Sequence, residues 1–145
     1  MLCAFKQAEC VNDALLGIMH RDRTDFSVTF RALARYTVDA AGFEGLFASG
    51  EDIQTWTDSW RAALRDQGIS DDAAARVMLD ANPAYIPRNH RIEEAIRAAE
   101  DRGDFQPTLR LMEVLAHPFE DQPGNDRYAA PPLPEERVRQ TFCGT

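Results

Sequence analysis

The sequence has 145 residues, of which 44% are apolar, and this is enough for one packed domain and argues against a disordered chain. Sixteen basic residues against 24 acidic ones give a net charge of −8, which argues against nucleic acid and anionic membranes as partners because both would be repelled. No apolar stretch reaches the roughly 20 residues of a membrane span. Lys6 and Glu9 interrupt the first apolar run, so it is not typical of a secretory signal. Three widely spaced cysteines fit a reducing compartment, and we expect a cytoplasmic protein.

Helical spacing of apolar residues runs through the first half of the chain. A first helix of about five turns is predicted by Ala4, Ala8, Val11, Leu15 and Ile18. A second begins at Thr24 or Asp25, either of which can cap it, with Phe26 and Phe30 on its inner stripe. The glycines and aromatic residues of segment 41–50 predict an ordered turn. The next helix ends at Gly68, and its inner face consists of Ile53, Trp56, Trp60, Ala63 and Leu64.

The second half begins with a helix that Ser70 can cap and that ends at Asn82, because Pro83 disfavours helical backbone in the residue before it. An irregular link over residues 82–88 precedes a helix from about Asn89 to Arg102, which Gly103 ends. We expect its inner face to be Ile92, Ala95, Ile96 and Ala99. Asp104 is predicted to cap the last helix. Apolar residues cover more than half of that helix and predict burial on several sides: Leu109, Leu111, Met112, Val114 and Leu115.

Prolines dominate the end of the chain, at positions 118, 123, 131, 132 and 134, and no helical or alternating period runs through it. We expect this segment to be extended, either packed over the helices or loose. No strand pattern occurs anywhere. The sequence therefore predicts an all-α fold of about six helices, with a helical domain over residues 1–117 and an irregular proline-rich tail over residues 118–145 that ends in Cys143-Gly144-Thr145.

The residues predict no catalytic, cofactor-binding or metal site. His20, His90 and His117 lie on separate elements, without the HxxxH or CxxC spacing of metal ligands. The segment 42–50 lacks the spacing and the lysine of a phosphate-binding loop. Backbone amides and arginines at residues 88–91 could hold an anion, but pairing of these arginines with solvent or with nearby glutamates is the favoured interpretation.

The cysteines differ in their surroundings. Cys3 and Cys10 lie about 10 Å apart along one helix, too far for a disulfide, and are interpreted as core thiols. Cys143 lies near the end of the chain, where a thiol is accessible to redox exchange, although an ordinary terminal residue is the alternative.

Five segments in this order resemble the carboxy-terminal region of the selenoprotein O family, also called YdiU: residues 25–33, 82–89, 95–105, 115–119 and 143–145. The similarity covers about residues 20–145. Its most specific feature is the combination of NPxxxxRN, a following helix, a later Pro-Phe pair and a terminal Cys-x-x.

The resemblance implies an atypical protein-kinase-like fold that binds ATP with Mg²⁺ (or Mn²⁺) and transfers AMP to hydroxyl side chains of protein substrates. The family's catalytic and metal-binding residues lie upstream, so none is assigned to this chain. The implied partner is the kinase-like catalytic body of the same enzyme, missing from this chain or separately encoded. Cys143 matches the family's terminal cysteine, where some members carry selenocysteine, and is the redox candidate.

Four other matching residues are interpreted as architectural. Asn82 and Pro83 would end one helix, and Arg88 and Asn89 would begin and anchor the next. The expected function is that of the carboxy-terminal segment of a selenoprotein O-type protein adenylyltransferase, inactive by itself. The alternative is a stand-alone helical interaction or thiol-redox module.

Overall fold

The computed structural model describes the backbone of residues 2–138 and the side chains of residues 11–138. Its described residues form eight α-helices, one 3₁₀ helix and no strand, which confirms the predicted all-α class. The helices are α1 (Leu2–Asp22), α2 (Phe26–Ala34), α3 (Ala40–Glu44), α4 (Gly50–Asp66), α5 (Asp71–Ala81), α6 (Asn89–Arg102), α7 (Gln106–Ala116), α8 (Asp126–Ala129) and the 3₁₀ helix (Pro134–Glu136). The two short helices α3 and α8 account for the difference from the six that the sequence predicts.

The chain separates into two compact units, a first unit of Met1–Asn82 and a second unit of Pro83–Thr145. This division does not coincide with the predicted boundary at residues 117/118, which stays a prediction. No helix among residues 2–138 combines the length and the apolar character that crossing a bilayer requires.

Side-chain caps define where the helices of the first unit begin. The backbone amide that follows each cap by three residues donates to Asp25, Asp39, Ser49 and Ser70. The predicted caps Asp25 and Ser70 are therefore confirmed. Gly68 has a φ of 69°, the left-handed backbone expected after α4.

The core of the first unit lies where α1 packs on α4, with α2 on α5 and α3 beside α4. Phe43, Leu15 and Ile53 are fully buried. The indole Nε1 of Trp56 donates to the carbonyl of Val11 at 2.7 Å, and the rings of Trp56 and Trp60 stack with centroids 5.9 Å apart and an interplanar angle of 9°. The prediction that both tryptophans lie on the inner face of this helix agrees with this packing.

Two expectations for the first unit need correction. Segment 41–50 is not only a turn, because α3 occupies its first half and places Phe43 in the core. Gly42 suits this helix since a Cβ there would collide with the capping carboxylate of Asp39. Phe26, expected to face inward, is 59% exposed and packs on Phe30 at the start of α2.

The second unit is built on the pairing of α6 with α7. Ala95 and Ala98 of α6 and Leu111 and Val114 of α7 are its buried apolar residues on these helices. Gly103, with a φ of 63°, ends α6 as predicted.

Three expectations for the second unit are wrong. Ile96 is half exposed, because the buried face of α6 runs through Ala95 and Ala98 and position 96 lies about 100° away around the helix. Asp104 accepts from the amide of Gln106 at 3.0 Å, but the N-cap position of α7 is Phe105. Two of the apolar residues of α7 are exposed, so this helix is not buried on several sides.

Candidate functional site

The residues of the NPxxxxRN motif begin at the carboxyl end of α5. Asn82 is the C-cap residue of α5, and its side-chain amide donates to the carbonyl of Met78 at 2.8 Å. The guanidinium of Arg31, a buried side chain of α2, donates to the carbonyls of Leu79 and Asn82 at 3.1 Å each. Helix carbonyls at this end have no partner within the helix, so Arg31 satisfies groups that burial would otherwise leave unbonded.

The link after Pro83 is anchored by backbone and side-chain bonds within the second unit. The amides of Ala84 and Tyr85 donate to the carbonyl of Pro118 at 2.8 and 3.1 Å. The hydroxyl of Tyr85, a buried side chain, donates to the carbonyl of Gln122 and accepts from the amide of the same residue. The Tyr85 hydroxyl therefore forms hydrogen bonds with both the backbone carbonyl and the backbone amide of Gln122, 37 positions later in the sequence.

Gln122 continues this network into the helices. Its side-chain amide donates to the carbonyls of Val114 and His117 at 2.9 Å, which are groups at the carboxyl end of α7. Its side-chain oxygen accepts from Asn125, and Asn125 accepts from Arg110 at 2.8 Å. The described part of the tail is therefore bonded to α7 and is not loose.

The start of α6 carries the other half of the motif. Arg88 is the N-cap residue and is buried, and Asn89, the first residue of the helix, is exposed. His90 is buried as well, and its Nε2 lies 4.0 Å from a carboxylate oxygen of Glu136. Burial lowers the pKa of His90, and the charge of Arg91 lowers it further, while Glu136 opposes the shift.

A cluster of ions joins α6 to α8 and to the 3₁₀ helix. Arg91 lies 3.0 Å from Glu94 and 3.4 Å from Glu136, and Arg127 donates to both carboxylate oxygens of Glu94 at 2.8 Å. Partial burial raises the pKa of Glu94, but hydrogen bonds from Arg91 and Arg127 outweigh it, so this pKa is lowered. The favoured interpretation of the arginines at 88–91 agrees with this pairing for Arg91.

We assign no catalytic role to the side chains of residues 11–138. Among residues 11–138, no three His, Cys, Asp or Glu side chains converge on a point that could hold a metal ion. His20-Arg21-Asp22 has the letters HRD of a kinase catalytic loop, a match that sequence reasoning overlooked. It lies inside helix α1, however, and Asp22 accepts from Arg21 and from the amide of Ala48. These bonds make Asp22 a structural carboxylate.

The other predicted site residues have different outcomes. Cys143, and the side chains of Cys3 and Cys10, lie outside the described residues. The architectural role of Asn82, Pro83, Arg88 and Asn89 stays a prediction, although the structure places Asn82 at the end of α5 and Arg88 and Asn89 at the start of α6. The sequence analysis did not single out Tyr85 or Gln122. The signal for Tyr85 is an aromatic residue shortly after an Asn-Pro pair, and the signal for Gln122 is the Gln-Pro-Gly sequence of a turn.

Comparison with known proteins shows which curated proteins this sequence resembles. No family model matches the sequence. The chain is similar to three curated proteins named protein nucleotidyltransferase YdiU. The one of Nitrobacter winogradskyi is 50% identical over 90% of this chain and 26% of its own length. For Maridesulfovibrio salexigens the values are 45%, 94% and 28%, and for Agrobacterium fabrum 44%, 91% and 27%.

The chain thus spans about a quarter of the length of the curated relatives it matches. The expected resemblance is confirmed: over about nine-tenths of its length this chain is similar to proteins of the YdiU, or selenoprotein O, family.

Proposed function

We propose that this chain is the carboxy-terminal segment of a protein nucleotidyltransferase that transfers AMP from ATP to hydroxyl side chains of protein substrates. In this proposal its helices support a nucleotide-binding body that lies outside this sequence. The observation that carries the proposal is 44–50% identity to YdiU proteins over nine-tenths of this chain but only about a quarter of theirs.

The chemistry of the described residues is consistent with a structural role beside a nucleotide-binding body. An ATP site with Mg²⁺ needs converging carboxylate or amide oxygens and a cation for the phosphates. No cluster of three metal-ligating side chains occurs among residues 11–138, and the one lysine of the chain is Lys6. No described residue is given a role in the transfer.

The hydrogen bonds of the second unit also support a structural role. Gln122, Asn125 and Tyr85 bond to backbone carbonyls, to a backbone amide and to one another. Groups that satisfy each other in this manner fix the chain in one conformation and are not available for a substrate. Their chemistry is that of a rigid scaffold.

The first test uses the isolated chain. It is incubated with α-labelled ATP, Mg²⁺ or Mn²⁺ and a protein acceptor, and binding and label transfer are measured. We expect neither saturable binding nor transfer of AMP. Saturable nucleotide binding by this chain would contradict the claim that the site lies elsewhere.

The second test uses a chimera, in which this chain replaces the matching segment of the Nitrobacter winogradskyi relative. We expect the chimera to transfer AMP at a rate comparable with that of the parent, and a parent lacking the segment to lose activity. An active parent with a folded but inactive chimera would refute the assignment of the segment.

The alternative, a stand-alone interaction or thiol-redox module, makes a different prediction. Its redox part depends on Cys143, so the isolated chain should form a thiol-dependent adduct that Cys143→Ser abolishes, and the chimera should transfer no AMP. Loss of the adduct together with an inactive chimera would favour the alternative.

A further inference from the structure

Helix α7 is apolar on two opposite faces. One face, with Leu111 and Val114, is buried against α6 within the second unit. The other face carries Leu109 and Met112, which are 50% and 63% exposed, and the N-cap residue Phe105, which is 61% exposed, extends it. Spacings of four and three residues align these three side chains into one stripe, here called the α7 stripe.

The α7 stripe is unusual for an exposed helix face. Leu109 lies about 140° around the helix from Val114, so the packing on α6 cannot reach it. A surface helix of a globular protein normally has one apolar stripe and a polar opposite face. A second stripe of large apolar side chains is typical of a helix that is covered on both sides.

The charged side chains of α7 are paired with each other. Arg110 and Glu113, the two charged residues within α7, form an ion pair at 2.8 Å, and Arg110 also donates to Asn125. Because these charges neutralise each other, a partner that covers the α7 stripe needs no opposite charge there. The surface that fits the α7 stripe is therefore apolar.

We propose that the α7 stripe docks against an apolar surface of the nucleotide-binding body of the same enzyme; this rests on the proposed function. The relatives devote about three-quarters of their length to regions that this chain does not match, so such a body is available in each of them. A second copy of this chain fits less well, because two molecules of charge −8 repel each other.

The test is photo-crosslinking in the chimera described above. Benzoylphenylalanine is introduced in place of Met112, and, as a control, in place of Val77, which is 68% exposed on α5 of the first unit. After irradiation and digestion, we expect peptides linked from position 112 to the Nitrobacter part of the same polypeptide, at a yield well above that from position 77. Links between two molecules, or equal yields from both positions, would overturn the proposal.

A pair of variants gives an independent readout. Leu109→Asp with Met112→Asp is made in the isolated chain and in the chimera, with Val77→Asp as the matched control. We expect the double variant to leave the melting temperature of the isolated chain nearly unchanged, because both side chains are exposed, but to lower that of the chimera by several degrees. An unchanged chimera would contradict the docking face.

The outcomes separate this proposal from the proposed function. An active chimera without links from position 112 refutes the docking face and leaves the function intact. A folded but inactive chimera that still gives these links refutes the function and supports the docking face.

Discussion

Replacing Tyr85 by phenylalanine tests the account of how the tail is held. Tyr85 is 5% exposed, and its ring would keep its packing in Tyr85→Phe, while the hydroxyl and its two bonds to the backbone of Gln122 would be lost. The change therefore isolates the polar contribution of one phenol from its apolar contribution.

The magnitude follows from these two bonds. A net hydrogen bond contributes about 0.5–1.5 kcal/mol, and an amide or carbonyl left without a partner in a buried place costs about 1–3 kcal/mol. Gln122 is only partly buried, so water can replace part of what is lost. We expect Tyr85→Phe to lower the free energy of unfolding by about 1–2 kcal/mol.

Two measurements check this expectation. Urea unfolding followed by far-UV circular dichroism gives the loss of stability, and hydrogen exchange of the Gln122 amide gives its location. The control is Tyr36→Phe, which removes one bond to Glu44 in the first unit and leaves Gln122 untouched. Unchanged protection of the Gln122 amide in Tyr85→Phe would refute the reasoning, whatever happened to global stability.

Three further predictions concern single positions. Trp56→Phe removes the bond to Val11 and leaves a small void in the core, so we expect urea unfolding to show a loss of about 2 kcal/mol. Gly103→Ala should cost about 1 kcal/mol because φ is positive there, whereas Gly17→Ala inside α1 should raise the melting temperature; equal effects would contradict the backbone argument. The pKa of His90 is lower in the folded chain than unfolded, so the stability it contributes is complete above its ordinary pKa of about 6.5 and is lost as pH falls towards the folded value. Urea midpoints at pH 7.5 and 5.5 should therefore differ less in His90→Gln than in the unchanged protein.

Local signals in the sequence predicted most helix boundaries. Asp25 and Ser70 start helices through bonds to amides three residues later, and Gly103 ends one through its left-handed backbone. Each signal acts within one turn, so the surrounding fold hardly changes its meaning. Pro83 acts in the same local way on Asn82.

Features that depend on distant contacts were not predicted. The tail has no period of its own, yet Tyr85 and Arg110 hold Gln122 and Asn125 in place from two other segments. Helical spacing alone also cannot decide which of two apolar faces meets a neighbour, so the expectation for α7 failed at Leu109 and Met112. The same spacing misplaced Ile96, since alanines instead of larger residues form the contact face of α6.

The stacked indoles of Trp56 and Trp60 have a practical consequence for spectroscopy. They are the two tryptophans of the sequence, and both belong to the first unit. Tryptophan fluorescence will therefore register the melting of Met1–Asn82 and remain silent about Pro83–Thr145. A difference between the unfolding midpoints given by fluorescence and by ellipticity would show that the two units unfold as separate cooperative transitions.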